Sequence, residues 1–134
     1  MAVIYSSAGL RIMGKDLDLD AISRELSLHP SHVHRGGELD KFGDPYPDDM
    51  WLLDSPLGKV VQLDAHLRWL VQQLIPHFGY LKSLKNTARI DIFCSCTSVG
   101  EGGLSLSPNS LSISTELGLN LELSLILLRS KEET

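Results

Sequence analysis

The sequence predicts an α+β domain: a largely antiparallel sheet with helices packed on one face, loosely ferredoxin-like. Three observations predict it. Two-residue alternation of apolar side chains occurs near both ends and in the middle of the chain, a strong helical stripe separates the strand-like segments, and the signals interleave as strand, helix, strand, helix, strand, strand, helix, strand. At 134 residues the chain fits one domain spanning residues 1 to 134, long enough to bury about two-thirds of the surface its unfolded form exposes.

Ile4, Ser6, Ala8, Leu10 and Ile12 share one face of a first strand that stops at Gly14. Asp16, Asp18 and Asp20 then lead into Leu19, Ile22 and Leu26, the spacing of a short helix with an aspartate at its N-cap. Pro30 favours an extended piece over residues 31 to 36, and residues 51 to 54 read as the next firm strand. Leu63, Leu67, Leu70, Val71 and Leu74 mark one face of the best helix in the chain, interrupted at Pro76 and resumed for a turn or two through Leu81 and Leu84.

Residues 88 to 97 alternate cleanly, with Ile90, Ile92, Cys94 and Cys96 on one face. Gly100, Gly102 and Gly103 suggest a turn into a hairpin partner at Leu104 and Leu106. Ser107 followed by Pro108 reads as an N-cap and first helical residue, and Gly118 sits where a left-handed C-terminal residue belongs. The competing strand-like alternation at Leu111 and Ile113 lacks such end signals. Leu119, Leu121, Leu123, Leu125 and Leu127 are expected to form the buried face of a closing strand.

Composition excludes several function classes. The net charge is −5 and no stripe of lysines and arginines offers a footprint for phosphate backbones, so nucleic acid is not an expected ligand. The N-terminus lacks the basic start and apolar run of an export signal, and the leucine-rich C-terminal stretch is far too short to span a bilayer, so a cytoplasmic location without membrane contact is expected. Cys94 and Cys96, two apart in a strand, suit buried thiols better than a disulfide.

Residues 37 to 51 are the least core-like segment. They hold the carboxylates Glu38, Asp40, Asp44, Asp48 and Asp49 among glycines, prolines and the aromatic Phe42, Tyr46 and Trp51. Acidic and aromatic side chains in a long connection suit recognition of a basic protein partner. The expected partner-binding set is Glu38, Asp40, Asp44, Tyr46, Asp48, Asp49 and Trp51, the acids steering encounter and the aromatics supplying contact area.

Leu10-Arg11-Ile12, the stretch from His29-Pro30-Ser31 to Arg35-Gly36-Gly37-Glu38, Trp51-Leu52-Leu53-Asp54-Ser55 and the helix containing His66 together resemble the bacterial domain-of-unknown-function family 4279. The late Gly-Gly-Leu-Ser-Leu-Ser-Pro segment and the Leu-Gly-Leu-Asn-Leu-Glu-Leu strand extend that resemblance over nearly the whole chain. It implies a compact α+β fold and brings no activity with it. His32 and His34 stand where the family pattern usually has an ordinary polar or aromatic residue, which counts against a family-wide metal site there.

His29, His32 and His34 nevertheless form His-x-x-His-x-His, and in an extended segment His32 and His34 project to one side at a spacing compatible with one metal ion. Three surface histidines in a turn are the simpler account. The aspartates at 16, 18 and 20 imitate the start of a calcium loop, but Ala21 and Ser27 occupy positions that need glycine and glutamate. No nucleophile turn and no phosphate-cradling glycine loop occurs, so there are no catalytic residues to name and no cofactor is expected.

The expectation is therefore a non-catalytic protein-binding domain, an immunity protein against a toxin being one concrete version. The alternative is a metal- or small-ligand-binding protein, or an enzyme, using the histidine cluster. A homo-oligomer joined through an exposed sheet edge is a third possibility.

Overall fold

The computed structural model describes residues 3–129. Its strands are β1 (Val3–Gly14), β2 (His32–His34), β3 (Asp49–Asp54), β4 (Arg89–Val99) and β5 (Asn120–Leu128). Its helices are α1 (Leu19–Leu26), α2 (Leu63–Leu74), α3 (Phe78–Leu84) and α4 (Pro108–Leu117), with a 3-10 turn at Ile75–His77 joining α2 to α3. The five strands form one sheet in the order β2-β3-β1-β4-β5. Every pairing is antiparallel except β4 with β5, which is parallel.

Local chemistry explains most boundaries. The carboxylate of Asp18 accepts the Ala21 N–H at 3.0 Å and caps α1, which ends on Ser27 in the left-handed conformation. Ser107 caps α4 by accepting the Ser110 N–H, Pro108 takes the first turn, and left-handed Gly118 stops the helix with φ of 66°. Pro76 lacks the N–H that α2 would need to continue, so the chain tightens into the 3-10 turn.

The helices cover one face of the sheet. Ser6, Ala8, Leu10 and Ile12 of β1, Trp51 and Leu53 of β3, and Ile90, Ile92, Cys94 and Cys96 of β4 point into this layer and meet Leu67, Leu70 and Leu74 of α2, all buried. Both cysteines are free, and burial pushes the Cys94 thiol up to about 12, as expected for thiols that act as small hydrophobes. On the uncovered face Arg11 binds Asp91 in a two-pronged ion pair at 2.8 and 2.7 Å and lies 4.5 Å over the Phe93 ring.

Two expectations need correction. Leu104 and Leu106 form no hairpin strand. Residues 102 to 107 run unpaired into α4, because β4 reaches β5 by a parallel crossover that places α4 between them. The expected buried face of β5 holds only at its start: Leu119 is buried and Leu121 packs against the core, but Leu123, Leu125 and Leu127 are half or more exposed, since the helices leave this stretch of the edge strand uncovered.

Candidate functional site

The segment between β2 and β3 folds back on itself as a narrow finger. The Gly37 N–H donates to the Tyr46 carbonyl and the Tyr46 N–H to the Glu38 carbonyl, both at 2.9 Å, and Leu39 bridges Pro45. Nearer the tip the Asp40 N–H donates to the Asp44 carbonyl at 2.8 Å and the Gly43 N–H to the Asp40 carbonyl at 3.0 Å. Gly37 and Gly43 take φ of 91° and 84°, a region that side-chain-bearing residues seldom enter.

The base of the finger is tied to the body by two of its acids. Asp49, buried at the start of β3, accepts the Leu17 and Gly36 N–H groups at 2.9 and 2.8 Å and pairs with Arg35 at 3.0 Å. Those backbone donors, Gly36 first, hold its carboxyl below the usual carboxylate range, with Arg35 adding to the effect. Asp48 pairs with Arg89 at 2.8 Å and with Lys15 at 3.4 Å. These acids fasten the finger to the connection between β1 and α1 and to the start of β4 instead of offering charge to a partner.

Trp51 is fully buried. Its position opposite Ile12 of β1 turns the indole into the core, where its N–H donates to Ser23 Oγ of α1 at 3.0 Å. Tyr46 lies flat on the His34 imidazole, ring centroids 3.4 Å apart and planes 6° from parallel. Of the expected recognition set, then, Trp51, Asp48 and Asp49 are spent internally and Tyr46 braces the finger.

What remains outward is the tip. Glu38 and Asp44 are exposed, and Phe42 and Leu39 are 79% and 67% exposed. Asp40 has a structural task as well: its Oδ1 accepts the Phe42 and Asp44 N–H groups at 2.8 and 3.0 Å and so sets the turn. Leu39 was not singled out by the sequence. An isolated leucine in a loop gives no signal until its bridge to Pro45 shows that the finger is ordered around it.

The histidines divide. His32 and His34 contact each other, Nε2 to Nδ1 at 2.9 Å, on the uncovered face of the sheet, while His29 lies exposed before β2. Burial, and then the neighbouring His32, lower the His34 pKa. Among the described residues no group of three or more His, Cys, Asp and Glu side chains is placed to hold a metal ion.

A cavity of about 600 Å³ lies at the other end of the molecule, between the start of β1, residues 60 to 64 and residues 103 to 105. Ser6, Gln62, Asp64 and Ser105 are its polar lining and Val3, Val60 and Leu104 part of its apolar wall. Asp64 is occupied by α4: its carboxylate accepts the Ser107 N–H at 2.7 Å and a very short bond from Ser110 Oγ, and pairs with Arg68 at 3.2 Å. The Ser110 hydroxyl and then the Ser107 N–H hold its carboxyl below the ordinary value. His66, behind this wall, shares a 2.8 Å bond from Nδ1 with Ser55 Oγ, and burial lowers its pKa against the opposing pull of the Val61, Gly58 and Ser6 carbonyls. No spacing motif announces this hollow, because three segments far apart in the chain line it.

No helix among the described residues is long and apolar enough to cross a membrane. No curated protein and no solved structure matches the chain. The model of a family described as domain of unknown function (DUF4279) matches residues 4–128, and the chain belongs to that family.

Proposed function

We propose that this chain is a non-catalytic, cytoplasmic protein-binding domain whose finger at residues 37 to 46 engages a basic protein surface. Phe42 and Leu39 serve as apolar anchors, and Glu38 and Asp44 steer the encounter. The observation that supports it is the contrast within one short segment: a base pinned by Asp48 and Asp49, and a tip that leaves a phenylalanine 79% exposed. Exposing such a ring has no use in folding, whereas holding it on an ordered turn lowers the entropy lost when a partner covers it. Inhibition of a basic toxin is the concrete version that fits a small acidic protein.

The test is affinity capture from an extract of the native host, followed by binding measurements on the captured protein. Phe42→Ala should weaken binding at least about tenfold, the loss of a modest hot spot, and Glu38→Gln with Asp44→Asn should slow association and flatten its salt dependence. A captured partner that binds all these variants like the parent would refute the assignment.

A further inference from the structure

We propose that β5 is the interface of a homodimer in which the β5 strands of two copies pair side by side and antiparallel, joining their sheets into one. β5 has a hydrogen-bonded neighbour, β4, on one side, and among the described residues no strand on the other. Leu123, Leu125 and Leu127 share the face of Cys94, Cys96 and Ser98, their register partners on β4, yet are 50%, 54% and 66% exposed while those partners are buried. On the opposite face Ile126 and Leu128 are 48% and 46% exposed.

A side-by-side strand fits this pattern better than a partner stacked on either face. A body lying over the leucines would leave Ile126 and Leu128 wet, whereas a neighbouring strand satisfies the free backbone groups and touches both rows at once. The strand also carries few of the devices that keep an edge single, Glu122 being its one charge. Residues 120 to 128 contain no lysine, no proline and no bulge against β4.

The sequence of the strand selects a second copy as the occupant. Leucine stands at 123, 125 and 127, so this row reads alike in both directions about Leu125, with Leu121 falling opposite Arg129 at the end of the pairing. A two-fold axis through Leu125 places that residue opposite its own copy and Leu123 opposite Leu127, which is the self-complementarity an isologous interface requires. Ser124 then faces Ile126, and Glu122, the one charge within β5, falls opposite Leu128 at the margin where water remains. Five side chains about half exposed offer on the order of 500 Å² of apolar surface per copy, near the upper end for the largest patch on a monomer. Two copies bring roughly 1,000 Å² together, the lower limit for a specific interface, so the dimer should be of moderate affinity.

Sedimentation equilibrium on the full chain from about 1 µM to about 1 mM spans the range in which such an interface associates. The expected result is a mass that rises from monomer to dimer, and a dissociation constant raised at least about tenfold in Leu125→Lys, where two like charges meet on the axis. Circular dichroism establishes that this variant is folded. In parallel, Leu125→Cys should form an intermolecular disulfide under mild oxidation and Leu39→Cys, equally accessible but remote from the axis, should not, the native thiols being buried. If Leu125→Lys fails to fold, the cross-linking pair decides. A monomer at every concentration, as would follow if another segment or protein covers β5, overturns the proposal. So does a dimer that persists in folded Leu125→Lys and leaves Leu125→Cys uncross-linked.

Discussion

Replacing Trp51 by phenylalanine separates a core role from a contact role, because the two make opposite demands on stability and binding. The indole is fully buried between β1 and α1 and donates to Ser23 Oγ at 3.0 Å. Phenylalanine loses that bond, worth roughly 1 kcal/mol for a neutral pair, and leaves part of a ring's volume unfilled, worth roughly another 1–2 kcal/mol. The sum, about 2–3 kcal/mol, should lower the melting temperature of a domain of this size by roughly 8–10 °C. Urea unfolding followed by circular dichroism measures the change, and a double-mutant cycle with Ser23→Ala should return a coupling near the hydrogen bond's share. A loss under about 0.5 kcal/mol, the range of neutral surface substitutions, would refute the placement of Trp51 in the core.

Three further predictions concern the groups that fasten elements together. Asp49 has a depressed pKa in the folded state, so its stabilisation is complete above the ordinary carboxylate pKa and fades as pH falls through the folded value; acid unfolding of Asp49→Asn should show a flatter acid limb than the parent. His66 is likewise depressed, by burial, so it favours the folded state above its ordinary pKa of 6.5 and withdraws that support as the solution is acidified below it; an NMR titration should place its midpoint below 6.5. Asp64→Ala removes the carboxylate that links α2 to α4, taking the acceptor from the Ser107 N–H and leaving Ser110 Oγ only the residue-64 carbonyl and Ser107 Oγ, which should cost about 1–3 kcal/mol in chemical denaturation.

The parts of the fold legible in the sequence are those fixed by neighbours along the chain. The leucine stripe of α2, the alternation of β4 and the Ser107, Pro108 and Gly118 signals of α4 all depend on spacing within one element, and each element forms where the spacing puts it. Depth in the fold depends on what packs above an element. The leucine row of β5 reads like that of a central strand, yet Leu123, Leu125 and Leu127 are exposed while their register partners on β4 are buried, because the helices leave this stretch of the edge uncovered. Leu104 and Leu106 imitate a strand, but a parallel crossover through α4 takes the chain past them.

The candidate site was half readable for the same reason. The acidic, aromatic character of residues 37 to 51 is plain in the sequence, but the division of labour within it is set by partners distant along the chain: Leu17 and Gly36 for Asp49, Arg89 for Asp48, Ser23 for Trp51. The inward positions of β3 alternate through 49, 51 and 53, which carries both Asp49 and Trp51 inside once its register on β1 is fixed. Phe42, at the tip, has no such partner on β1 or α1 and is left outside.

The central claim is that residues 37 to 46 are an ordered finger held at its base, and backbone ¹⁵N relaxation tests it most directly. Gly37, Glu38, Asp40 and Tyr46 should give order parameters near those of the sheet, about 0.8 or above, and Phe42 a similar value because the Asp40 carboxylate fixes its amide. Order parameters below about 0.6 through this stretch would mark a slack loop with no preformed tip, and would contradict the account.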